Sequence, residues 1–144
     1  MKVSQQGNTV ILEDIKHFNP KHIFECGQCF RWIKQEDDSY TGVAMGKVIN
    51  VKQDGNKIYL DNTTKEDFDN IWYDYFDLER DYEEMVNTLK VMDEYLEKAT
   101  EFGEGIRILK QDGWEMLISF IISANNRIPM IQRAINNLSK NYGT

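Results

Sequence analysis

Proline and glycine are scarce. Two prolines and nine glycines in 144 residues exclude a disordered or low-complexity chain. Long hydrophobic runs are missing as well: no apolar stretch approaches the roughly 18 residues of a membrane span, and Met1–Gln6 has no signal-peptide h-region. The expectation is a cytoplasmic protein with no membrane partner. Cysteine is nearly absent. Cys26 and Cys29 have the C-x-x-C spacing of half a zinc site or of a redox pair. Zinc needs about four ligands, and only His17 and His22 lie nearby, both N-terminal to the pair. A redox pair usually opens a helix after a strand, whereas Cys29 leads into Phe30-Arg31-Trp32-Ile33, which reads as a strand. The pair is therefore expected to be structural thiols, with no metal and no cofactor. Basic charge is also in deficit. Seventeen Lys and Arg against 24 Asp and Glu give a net charge of −7, which by itself argues against a nucleic-acid partner. The deficit is local, however. Residues 1–60 carry eight basic and seven acidic side chains, 61–103 four and fourteen, and 104–144 five and three. The acidic middle should face solvent, while either end is free to approach an anion.

What is present suffices for a core: 41% of residues are hydrophobic and 12% aromatic, enough for one domain, or one and part of a second. Thr9–Leu12 reads as a short strand, ended by Phe18-Asn19-Pro20 because proline disfavours helix in the residue before it. Cys29–Lys34, Tyr40–Met45, Lys47–Lys52 and Lys57–Asp61 follow as strands. Phe30 and Trp32 share one face of the first, and Asp54-Gly55 supplies the hairpin turn between the last two. The result is an antiparallel meander with one covered face. At Thr63 the period lengthens from two residues to about 3.6. Thr63-x-x-Glu66 is a capping box, and Phe68, Ile71, Trp72 and Tyr75 form a buried helical stripe. Tyr82, Met85, Val86 and Leu89 form a second. Tyr95, Leu96 and Ala99 form a third, stopped by Gly103 and Gly105. These acidic helices are predicted to cover the meander. Asp112-x-x-Glu115 is another capping box, opening a helix with Trp114, Leu117, Ile118, Ile121 and Ile122 around much of its circumference, as a central core helix has. Ile128, Ile131, Ile135 and Leu138 mark one more helix, which ends near Tyr142-Gly143.

Between these last two helices stand Asn125, Asn126 and Arg127, with Pro129 in the first turn of the second. Asparagine tolerates the left-handed backbone that ends a helix, and proline fits a first turn, where its missing N–H is not needed. The three polar side chains thus sit at a tight junction on a rigid base, beside a helix N-terminus able to seat a phosphate. The plainer alternative is helix punctuation. A core helix with a single partner also leaves apolar surface uncovered and a driving force for association. The sequence therefore reads as a fragment: an α+β unit over residues 1–104, then residues 105–144 as the start of an all-helical domain cut after its second helix, with self-association of the exposed helical faces expected.

Three motifs stand together: Cys26-Gly27-Gln28-Cys29-Phe30-Arg31-Trp32, then Gly105-Ile106-Arg107-Ile108-Leu109-Lys110-Gln111-Asp112 leading into Trp114–Ile121, then Ser123-Ala124-Asn125-Asn126-Arg127-Ile128. In that order and spacing, from about Lys21 to Gly143, the chain resembles the N-terminal portion of the 8-oxoguanine DNA glycosylase/AP lyases of the helix-hairpin-helix superfamily, bacterial type. The resemblance implies a twisted antiparallel sheet like that of the TATA-binding protein, packed with helices, then the first helices of the glycosylase domain. It implies base-excision repair on double-stranded DNA containing 8-oxoguanine, with the damaged base flipped into a pocket between domains, in the bacterial cytosol and nucleoid.

Carried onto matching positions, Gly27 corresponds to the glycine whose carbonyl accepts a hydrogen bond from N7–H of the lesion. Asn125 corresponds to the asparagine that fills the vacated gap, and Asn126 and Arg127 are its neighbours on the DNA backbone. The eukaryotic members carry an arginine where this sequence has Met130, and that arginine reads the opposite cytosine, so weaker opposite-base discrimination is implied. The family's Schiff-base lysine and its aspartate lie in or after a helix-hairpin-helix. No L-P-G-[VI]-G hairpin occurs here, and none of the twelve lysines matches. The 144 residues alone are therefore expected to be inactive. Two other readings share these residues: an alkylpurine DNA glycosylase of the same superfamily, and a non-enzymatic binding module using the last two helices as a helix-turn-helix. The final helix has only Arg133 and Lys140 as cations, thin for phosphate affinity. A structural domain with the acidic middle as its partner face is a third.

Overall fold

The computed structural model describes residues 1–143. Six strands form one antiparallel sheet in the order β1-β2-β6-β5-β4-β3: β1 Lys2–Gln6, β2 Thr9–Glu13, β3 Trp32–Lys34, β4 Tyr40–Ala44, β5 Lys47–Asp54 and β6 Lys57–Asp61. The alternation in the sequence sets one face. Val10 pairs with Leu60, Leu60 with Val51, and Val51 with Tyr40. All four are buried. A strand side chain points to one face every second residue, so Leu12, Ile58, Ile49 and Ala44 join the same layer. Gly42 lies opposite Trp32 in the β3–β4 register. Any Cβ there would run into the Trp32 indole, so glycine at that position lets the ring lie flat on the sheet.

Four details differ from the expectations. Lys2–Gln6 forms an edge strand that its mostly polar residues did not announce. Pro20 opens a helix instead of only ending a strand: α1 spans Pro20–Glu25, with proline in its first turn and the Asn19 side chain accepting from the His22 N–H at 3.3 Å. The strand expected over Cys29–Lys34 is confined to Trp32–Lys34, the stretch that finds a partner in β4. The helix cap after the sheet is Thr64, whose hydroxyl accepts from Asp67 N–H, while Thr63 Oγ1 accepts instead from the Trp72 indole N–H at 2.8 Å.

The cover over the sheet comes from α1 and from one continuous helix made of α2 (Lys65–Asp67), a π-helical segment (Phe68–Trp72) and α3 (Tyr73–Tyr75). Phe68, Trp72, Tyr75 and Phe76 are buried, matching the predicted stripe, with Phe76 falling on the same helical face eight residues after Phe68. Phe24 stacks on Trp32 with ring centroids 3.9 Å apart. By contrast, α4 (Tyr82–Lys90) and α5 (Glu94–Phe102) do not cover the meander as predicted. They pack on each other, only Tyr82 is buried, and Tyr95 and Phe102 are 86% and 88% exposed. An apolar stripe identifies a face that needs a partner without saying which partner. Residues 106–111 follow without regular secondary structure, and Leu109 among them joins the core. Last come α6 (Gly113–Ser123), capped by the Asp112 side chain as expected, and α7 (Ile128–Tyr142). Ile131 and Ile135 of α7 are buried, whereas α6 buries no residue, with Trp114 and Phe120 at 70% and 74% exposure. No helix among the described residues is long and apolar enough to cross a membrane.

Candidate nucleic-acid interface

Gly27 sits just past α1 with φ +87°, a backbone conformation that side chains disfavour and glycine adopts freely. A Cβ placed on it would meet one atom within 4 Å, Ile128 Cδ1 at 3.6 Å. The loop of the first motif therefore lies beside the first residue of α7. The two line a cleft of about 290 Å³ together with Phe24, Cys29, Trp32 and Gln132. The Gly27 carbonyl accepts no hydrogen bond from the described residues. Asn125 lies three residues before Ile128, and three residues of chain reach at most about 11 Å. Gly27 and Asn125 are thus brought to one neighbourhood through Ile128.

Asn125 has φ +51°, the left-handed conformation its residue type tolerates. Its side chain is exposed and unpaired among the described residues. Asn126 is spent differently: its N–H and side-chain amide bond the carbonyls of Ser123 and Ile122 at 3.2 and 3.1 Å, and its Oδ1 accepts from the Arg127 N–H at 2.9 Å. Asn126 thus bonds within the junction, whereas the Asn125 side chain has no partner among the described residues. The phosphate seat expected at the N-terminus of α7 is narrow. Met130 and Ile131 N–H both donate to the Arg127 carbonyl and Pro129 has no N–H, which leaves only the N–H of Ile128 without an acceptor. Met130 is 52% exposed, in the first turn of α7.

Charge follows the same division. Eight of the twelve lysines are held in ion pairs with Asp or Glu, from Lys16–Glu83 to Lys110–Asp74. Arg127, Arg133 and Lys140, all the cations of residues 113–143, form none among the described residues and are left for an external anion. Lys34 lines the cleft but pairs with Asp38 at 2.8 Å, and that hydrogen bond holds its ammonium above the usual lysine pKa. Cys29 is buried, and its thiol is pushed up to about 12, first by burial and then by Cys26 and Glu115. A thiol so protonated is neither a nucleophile nor a ready ligand. No group of three or more His, Cys, Asp or Glu gathers as a metal site among the described residues.

Two side chains whose roles the periodicity does not show, Arg107 and Gln28, anchor residues 107–111, which lead into α6. Arg107 is buried, with Nε donating to His17 O at 2.7 Å, Nη1 to Asp77 O at 2.9 Å and Nη2 to Lys16 O at 3.0 Å. Its guanidinium stands 4.5 Å from the Tyr82 ring centroid. Gln28 bonds the same segment, donating to the Arg107 carbonyl and accepting from the Leu109 N–H. Both residues lie inside the sequence motifs, and the Arg107 and Leu109 backbone groups that Gln28 bonds lie about 80 positions away.

Comparison with known proteins identifies the family to which this fold belongs. The family profile described as "8-oxoguanine DNA glycosylase, N-terminal domain" matches residues 10–117. An "N-glycosylase/DNA lyase" of Saccharomyces cerevisiae is 32% identical over 136 residues, covering 85% of this chain and 36% of the yeast protein. Among solved structures, MBOgg1 in complex with a low-affinity DNA ligand superposes with a TM-score of 0.96 at 52% identity, covering 99% of this chain and 49% of that one. The 8-oxoguanine glycosylase/lyase of Clostridium acetobutylicum, in complex with double-stranded DNA containing cytosine opposite 8-oxoG, gives a TM-score of 0.94 at 48% identity, covering 97% and 48%. The chain thus spans about half the length of these solved relatives and about a third of the yeast protein. On the profile match across residues 10–117, this chain belongs to the 8-oxoguanine DNA glycosylase family and carries its N-terminal domain.

Proposed function

We propose that this chain is the lesion-reading and gap-filling part of an 8-oxoguanine DNA glycosylase/AP lyase that acts on double-stranded DNA in the bacterial cytosol and nucleoid. One observation carries the reading: the Gly27 carbonyl has no donor among the described residues, and Gly27 lines a cleft walled by the helix that follows Asn125. Guanine N7 is an acceptor, whereas N7 of 8-oxoguanine carries a proton. A fixed carbonyl attracts the second and repels the lone pair of the first. In a desolvated pocket the discrimination is strong, because an unsatisfied buried polar group costs about 1–3 kcal/mol. The base must leave the stack to be read in this way. The free amide of Asn125 both donates and accepts, which suits it to the vacated slot and the orphaned cytosine. Arg127, with Arg133 and Lys140, supplies phosphate contacts. Asn126 stiffens the base of the wedge.

In this reading residues 1–104 are the α+β domain and 105–144 the start of the helical one, and the exposed face of α6 is where the remainder of such an enzyme packs. In the 144-residue chain by itself that face favours self-association. No lysine here is assigned as the nucleophile. A Schiff-base lysine needs a lowered pKa, and Lys34, which lines the cleft, is shifted the opposite way by Asp38.

The test is borohydride trapping on a duplex with 8-oxoguanine opposite cytosine. The full-length protein containing these residues is expected to release the base and form a covalent adduct, and the 144-residue chain to form none. A full-length protein inert toward 8-oxoguanine overturns the assignment, and an adduct on the short chain overturns the placement of the nucleophile. Met130 bears on the opposite strand. Methionine offers no donor to a base edge, so Met130→Arg in the full-length protein is expected to raise the preference for cytosine over adenine opposite the lesion by about tenfold. Release rates on the two duplexes measure it, and an unchanged ratio contradicts it.

A further inference from the structure

We propose that Gln28, braced by Gln111, is the positioning residue that holds the Gly27 carbonyl in its reading orientation. The inference rests on the lesion-reading role proposed for Gly27. Glycine supplies the φ of +87° but no stiffness, since nothing on its Cα resists rotation. A hydrogen bond weakens steeply with distance and angle, so a carbonyl that tells a proton from a lone pair has to be anchored from outside.

The anchor is the next residue. The planar amide of Gln28 is fully engaged: Nε2 donates to Ile23 O at 2.9 Å and to Arg107 O at 2.8 Å, and Oε1 accepts from the Leu109 N–H at 2.9 Å. Its main-chain carbonyl accepts from Gln111 Nε2 at 2.6 Å. Four bonds therefore fix the residue on the far side of the Gly27–Gln28 peptide, tying it both to α1 and to residues 107–111. Those residues are themselves immobilised by Arg107 and by the Lys110 N–H bond to Tyr75 O at 2.9 Å. They run directly into α6 and so toward Asn125. Gln28 thereby sets the register between the loop that reads the lesion and the helices that fill the gap. In this cluster the Gly27 oxygen is the acceptor left open.

The experiment uses the full-length protein and two isosteric changes, Gln28→Met and Gln111→Met, with two substrates: a duplex carrying 8-oxoguanine opposite cytosine, and one carrying a preformed abasic site. Positioning of the carbonyl matters only where a base is read. Each variant is expected to lose roughly 10- to 100-fold in kcat/KM for 8-oxoguanine while nicking the abasic site within about twofold of wild type. A parallel loss on both substrates makes the contacts merely structural and overturns the inference, as does full 8-oxoguanine activity. If Gln28→Met does not fold, Gln111→Met, which removes a single part-buried bond, decides by itself. Wild-type protein that nicks abasic sites but ignores 8-oxoguanine removes the Gly27 reading, and this inference with it.

Discussion

Gly27→Ala is expected to lower release of 8-oxoguanine by the full-length protein about 100-fold, equivalent to roughly 2.7 kcal/mol of transition-state stabilisation, while leaving the protein folded. The reason is conformational and not steric. The added methyl would meet only Ile128 Cδ1, at an ordinary contact distance of 3.6 Å. The φ of +87° is another matter. A left-handed backbone costs a residue with a Cβ about 1–2 kcal/mol, and the chain relieves that strain by turning the peptide. The carbonyl leaves its direction as the peptide turns. Because a domain has about 5–15 kcal/mol of stability, strain of this size lowers the melting temperature modestly without unfolding the protein. Thermal unfolding by circular dichroism and single-turnover release assays together check both halves. Unimpaired release by Gly27→Ala would mean that the carbonyl keeps its direction without glycine or that another acceptor reads the base, and either outcome contradicts the conformational argument.

Asn125→Gly is the second large effect, and it separates two roles that share one residue. Asn125 has φ +51° at the turn between α6 and α7, so asparagine there serves helix punctuation whatever else it does. Glycine adopts the same backbone more readily. The substitution therefore keeps the junction and removes only the amide. Stability is expected to stay within about 0.5 kcal/mol of wild type. Release of 8-oxoguanine is expected to fall roughly 10- to 100-fold, because a flipped base whose slot stays empty must offset a few kcal/mol of lost stacking and pairing unaided. Urea titration and the same single-turnover assay measure the two quantities. Wild-type release by Asn125→Gly would reduce the Asn-Asn pair to a helix end. Asn125→Ala is less informative, since it strains the backbone and deletes the amide together.

The features legible in the sequence were those that local physics dictates. Asp54-Gly55 closes the β5–β6 hairpin, with Gly55 at φ +58°. The alternation of Ile49, Val51, Ile58 and Leu60 gave one buried face. The Asn125–Pro129 junction formed as its residue types require. Misreadings arose where one residue had two uses. Proline disfavours helix behind it and favours helix ahead of it, and at Pro20 the second use prevails because Asn19 caps the turn. Thr63 and Thr64 are both fit to cap, and the buried indole of Trp72 claims the first. The acidic helices were misplaced because periodicity describes a helix face and not its partner. At the candidate site Asn125 was visible as a residue type suited to a left-handed helix end, while Gly27 was marked only by the family resemblance and its positive φ emerged from the structure. The roles of Gln28, Gln111 and Arg107 were not visible, since their work consists of single polar contacts across distant stretches of chain.

The decisive measurement is a crystal structure of the full-length protein on a duplex with 8-oxoguanine opposite cytosine. The lesion is expected outside the stack with its N7 about 2.7–3.2 Å from the Gly27 oxygen, and the Asn125 amide in the gap it left. An extruded lesion whose N7 faces some other acceptor, with the Gly27 oxygen turned to solvent, would contradict a main-chain reading of oxidised guanine.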